Sequence, residues 1–123
     1  MRTSNPTATF QLPPPRPVAS TPTQLLHAGL AAAMTAAGFT AFSGLDDSGR
    51  CTLPTWPRWS MWDHEHVTEA GTHTHTVTYD EADDIVTGWI VDRAPSHIPH
   101  ASECGIPAIL DALRADGVLL AVA

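Results

Sequence analysis

The sequence predicts an α+β domain, with two or three helices packed on one face of a four- to five-stranded, mainly antiparallel sheet. Three observations carry this. The stretch SMWDHEHV, TEAG, THTHTVTYD over residues 60–80 reads as two strands around a turn, and its second arm alternates with period two. Two apolar stripes of helical spacing each begin near a proline, Pro22 and Pro107, and close on a glycine, Gly38 and Gly117. Short apolar runs, Phe39–Leu45 and Val118–Val122, follow those stripes as strands. A chain of 123 residues with 43% hydrophobic content has one domain's length and a modest core.

Residues 1–22, MRTSNPTATFQLPPPRPVASTP, read as a disordered, flexible Pro-rich arm, and residues 23–123 as the single α+β domain. Proline fixes φ and lacks a donor, so PPPRP favours polyproline II, a form that docks in aromatic grooves of partners. The first helix is expected over Thr23–Ala37, with Thr21 as its cap and Gly38 as its left-handed stop. Leu26, Leu30, Ala33 and Ala37 share its apolar face, Met34 lies beside them, and His27 sits on the flank as a surface or boundary residue.

Phe39–Leu45 then reads as a strand, Asp46–Gly49 as a turn and Arg50–Leu53 as a second strand. Pro54 and Pro57 interrupt pairing before the hairpin. In the hairpin's second arm, Thr72, Thr74, Thr76 and Thr78 point to one face. His73, His75, Val77 and Tyr79 point to the other, and threonine suits the exposed face.

Asp80–Arg93 fits two patterns. Ala82, Ile85, Val86, Trp89 and Ile90 at helical spacing, with Asp80 as cap, slightly favour a helix. The β-branched run with its glycine fits a buried strand over Asp84–Val91. Ala94–Gly105 reads as a loop and Pro107–Asp116 as a second clear helix, with Ile106, Ile109, Leu110 and Leu113 on its apolar face. Val118–Val122 lacks polar alternation and reads as a central strand.

Composition excludes several functions. A formal net charge of −7 repels the phosphate backbone and argues against nucleic-acid binding. The first apolar run, LLHAGLAAAM, follows a proline-rich segment, contains a histidine and is too short to span a bilayer. No membrane association is therefore expected, and the expected location is the cytoplasm or the interior of a phage particle. All six basic residues are arginine, and alanine and threonine are abundant, a bias of GC-rich bacterial genomes and of their phages and mobile elements. Cys51 and Cys104 form no CxxC pair and read as reduced thiols.

The chemistry-bearing residues cluster between Trp56 and Asp80. Trp56, Arg58, Trp59 and Trp62 combine indoles with a guanidinium, the residue types that dominate interface hot spots, and form the candidate contact surface. His64-x-His66 and His73-x-His75 lie in facing arms. On a strand, H-x-H places both imidazoles on one face about 6.5–7 Å apart, a spacing that suits zinc or another transition metal. Weaker combinations are Cys104 with His97 and His100 as a nucleophilic pair, and the acidic run Asp80, Glu81, Asp83, Asp84, read as a solvated helix start.

The expectation is a small acidic, non-enzymatic protein-binding or assembly module that uses its Trp/His-rich hairpin as contact surface, without a cofactor. A protein partner is expected, and a homo-oligomer is compatible with this reading. The alternative is a metal-binding protein or metal-dependent enzyme using His64, His66, His73 and His75.

Overall fold

The helix-start signal at Thr21 works as a capping box. In the computed structural model, which describes residues 21–51 and 59–119, the Thr21 hydroxyl accepts from the Gln24 amide, and the Gln24 side chain accepts from the Thr21 amide. This box opens α1 (Pro22–Ala36), and Gly38, at φ 91°, turns the chain out of it. The greater part of the Pro-rich arm, residues 1–20, lies outside the described residues.

Five strands follow: β1 (Thr40–Ala41), β2 (Trp59–Thr68), β3 (Gly71–Asp80), β4 (Ile85–Ile90) and β5 (Ser96–Ile98). Each pairs antiparallel with its sequence neighbour, in the order β1-β2-β3-β4-β5. Two helices close the described chain, α2 (Ala101–Cys104) and α3 (Ile106–Ala115). The α+β class, the helix count and the antiparallel sheet are those the sequence predicts.

Directly opposed residues of antiparallel strands share a face. Trp62, Val77 and Gly88 therefore form one row, and Tyr79 and Val86 another. These rows meet Leu26, Leu30 and Met34 of α1 and Ile109 and Leu113 of α3 in a single core. A Cβ on Gly88 would lie 2.7 Å from Val118 and 2.9 Å from Leu113, so glycine there lets the segment after α3 lie directly on the sheet.

Several local expectations are corrected. Within Asp80–Arg93, Ile85–Ile90 forms a strand and not a helix. The Asp80 carboxylate accepts from the amides of Ala82 and Asp83 and closes a turn, and Ile85–Ile90 then pairs on both sides, with β3 and β5. The strand expected over Phe39–Leu45 is shortened to Thr40–Ala41, because Gly44 at φ 93° turns the chain away. The strand at Arg50–Leu53 reduces to a single bridge, Arg50 to Ser60, and its last two residues lie outside the described ones. The loop over Ala94–Gly105 contains β5 and α2. Val118 and Leu119 are buried but not in a strand; residues 120–122 of that expected strand lie outside the described residues.

His27 is also corrected, from a flank residue to a core one. It is 6% exposed, and its ring stacks on Trp62 at 5.9 Å between centroids. Burial holds its pKa below the ordinary 6.5, helped by the positive charge of Arg50, with Ser48 and Asp46 pulling weakly the other way. The unfolded chain thus binds a proton at a higher pH than the folded one. The His27 contribution to stability is complete above pH 6.5 and is lost as pH falls from there through the depressed folded value. Urea unfolding between pH 7 and 5 is expected to show this loss, at most about 1.4 kcal/mol per pH unit. A His27→Gln variant is expected to show a shallower slope; an unchanged slope contradicts the assignment.

Candidate contact surface

The helices and the core occupy one face of the sheet, and the other face carries the odd-numbered residues of β2 and the even-numbered residues of β3. There, Trp59 and Met61 of β2, Thr76 and Thr78 of β3 and Trp89 of β4 line a shallow depression of about 410 Å³. Register brings them together, since Thr76 opposes Trp89 and Thr78 opposes Met61. Trp89 is 43% exposed, and its indole N–H donates to the Thr78 hydroxyl at 3.3 Å. Threonine methyls and two indoles make a surface that is apolar yet carries hydrogen-bonding groups, the amphipathic character typical of protein contacts.

The four residues proposed from sequence separate. Trp59 lies on this open face. Trp62 is corrected to the core: it is 2% exposed, and its indole N–H donates to the Ser48 carbonyl at 3.0 Å. Residues three apart on a strand point to opposite faces, so Trp59 and Trp62, grouped in one contact surface from the sequence, are divided between the two faces. Trp56 and Arg58 lie outside the described residues. Sequence reading missed Met61 and Trp89 as surface residues. The strand option for Asp84–Val91 held the signal, since period two from buried Val86 sends Trp89 outward.

The histidines do face one another. His64 opposes His75 and His66 opposes His73 across β2 and β3, and the rings of His66 and His75 lie 5.8 Å apart. His75 Nδ1 lies 2.9 Å from the Val118 carbonyl, which only an N–H can satisfy, so Nδ1 carries the proton. His64 instead packs 5.3 Å from the Phe39 ring. Among the described residues, no group of three or more His, Cys, Asp or Glu side chains is placed to hold a metal ion.

The remaining polar groups serve the fold. His97 Nδ1 meets the Thr87 hydroxyl, His100 meets Glu103 at the surface, and the Cys104 thiol contacts the Pro99 carbonyl. Each has its own local partner, and both cysteines are free. The acidic run is not a solvated helix start. Glu81 is buried and pairs with Arg50 at 2.8 Å, and Asp84 accepts from the Tyr79 hydroxyl at 2.7 Å and from Ser102. Burial, the Asp84 hydrogen bond and the nearby carboxylates push the Tyr79 pKa far up, so this hydroxyl remains a donor.

Fold and surface together define a small acidic α+β domain in which, among the described residues, one sheet face is covered by helices and the other is open. Compared with protein-family models, with curated proteins and with solved structures, the chain matches none of them. No described helix is long and apolar enough to cross a membrane.

Proposed function

We propose that this domain is a non-enzymatic protein-binding or assembly module that contacts its partner through the open sheet face around Trp59, Met61 and Trp89. One observation supports this above the others. An exposed indole stands beside a second indole and a methionine on a rigid strand scaffold, on the face away from the helices. Rigid aromatic side chains on a sheet lose little entropy on binding and carry most of the energy in many interfaces.

The test uses the partner crosslinked to this protein in the cells that make it. Trp89→Ala and Trp59→Ala are each expected to weaken that association about tenfold, or about 1.4 kcal/mol, while the unfolding midpoint stays close to that of the unaltered protein. Unfolding instead of weakened association assigns these indoles to the core and ends the proposal.

The His66 and His75 pair favours a second reading, as a metal site. A ring whose Nδ1–H is fixed on a backbone carbonyl presents Nε2 as a ligand, the usual outer arrangement around a bound transition metal. Zinc or nickel is then expected to raise the melting temperature of untagged protein, and His75→Ala is expected to abolish the rise. A flat melting temperature removes this reading.

A further inference from the structure

β2 is paired along all ten of its residues on one side, with β3, but only over its first half on the other. On that second side, the Met61 N–H donates to the Gly49 carbonyl at 2.9 Å, and the Met61 carbonyl accepts from Phe42 at 3.0 Å. The Trp59 carbonyl accepts from Cys51 there as well. Odd-numbered residues of β2 therefore turn their backbone groups toward this edge. Backbone direction alternates along a strand, so the N–H and C=O of Glu65 and Val67 face the same way. Thr40 opposite Asp63 is the last pairing of β1, because Gly38 brings the chain out of α1 just before it. Among the described residues, no strand lies opposite Glu65 or Val67.

Beside this free edge runs a groove of about 610 Å³, lined among others by Thr40, Asp63, His64, Glu65 and Thr74. Its side chains select the occupant. Asp63 and Glu65 line it with carboxylates, and Val67, two residues further along β2, is 75% exposed. A second copy is a poor fit. Self-pairing centred on Glu65 puts Glu65 opposite Glu65, and like charges directly opposed destabilise a pair; the net charge of −7 on each copy adds to the repulsion. A basic strand meets the reverse situation, with opposite charges on the outer face and, among the described residues, no strand already joined to the backbone groups of Glu65 and Val67.

We infer that the free edge of β2 at Glu65–Val67 takes up an extended basic segment of a partner protein as an added antiparallel strand, in line with β1. This goes beyond the open-face contact, because it names a second surface, a binding geometry and a charge for the partner. The added strand places alternate residues opposite Glu65 and Val67 on the outer face, next to Asp63, which Thr40 already pairs. A basic residue suits the position opposite Glu65, within reach of Asp63, and a small apolar one suits the position opposite His66.

The test uses two labelled hexapeptides, RVRVRV and EVEVEV. RVRVRV is expected to bind at least tenfold more tightly and to slow hydrogen exchange at the Glu65 and Val67 amides. Val67→Pro removes one donor that faces the edge and no β2–β3 hydrogen bond, so it keeps the fold and is expected to weaken RVRVRV at least tenfold. Glu65→Lys, which leaves the backbone intact, is expected to reverse the peptide preference. Absence of RVRVRV binding at about 1 mM overturns the inference. Binding without protection of those two amides, which marks charge attraction alone, also overturns it. So does self-association of the chain that protects the same amides. The peptides probe only the edge, so their failure leaves the open-face reading standing.

Discussion

Trp62→Ala is expected to destabilise the fold by about 3–5 kcal/mol, the largest single effect anticipated for this protein. The indole is buried, stacks on His27, bonds to the Ser48 carbonyl and lies against the chain at Gly49. A Cβ on Gly49, whose φ is 82°, would overlap the indole ring, so the loop closes on this side chain with no slack. Removing the indole opens a cavity, deletes one hydrogen bond and leaves the His27 ring without its stacking partner. Urea unfolding measures the loss directly. Trp89→Ala, on the open face, is expected to cost less than about 1 kcal/mol in the same assay. Similar costs for the two variants contradict the division of the tryptophans between faces.

Asp84→Ala is expected to cost about 3 kcal/mol, because it strands a buried hydroxyl as well as deleting bonds to a carboxylate. Asp84, at φ 55°, accepts from Tyr79, from the Ser102 amide and from the Ser102 hydroxyl, while its own carbonyl accepts from Ala101. It ties the end of β3 to the start of α2. Tyr79→Phe removes donor and hydroxyl together and is expected to cost only about 1 kcal/mol. A double-mutant cycle then isolates the coupling. Burial raises the Asp84 pKa, but hydrogen bonds from Ser102 and Tyr79 outweigh it and hold the carboxyl below the usual 3.8. The folded state thus favours the carboxylate. Its contribution is complete above pH 3.8 and is lost as pH falls through the depressed folded value.

The hairpin was legible in the sequence because strict alternation over Thr72–Tyr79 leaves only one register with Val77 and Tyr79 inside. The cap at Thr21 and the stop at Gly38 were legible for the same reason, since each is a local rule. β4 was not. Ile85, Val86, Trp89 and Ile90 place apolar side chains on both faces of a strand, and such a run also matches helical spacing. What decides it is distant in sequence: Gly88 under Leu113 and Val118, and pairing with β5, itself a three-residue strand. The candidate surface was half legible. Trp59 is legible as a surface residue, but its spacing of three from Trp62 suggests one patch only on a helix, and on a strand it sends the two indoles to opposite faces. Trp89 was hidden by the helical reading of its segment. His27 carried no signal, since its burial follows from Trp62 on another element.

Hydroxyl-radical footprinting of the protein with and without its crosslinked partner tests the open-face assignment most directly. In the free protein, Trp89 is expected to oxidise readily while Trp62 and Met34 resist. In the complex, oxidation of Trp89, Trp59 and Met61 is expected to fall together. Unchanged labelling of these three residues, or protection confined to the exposed side of α1 and α3, contradicts the account.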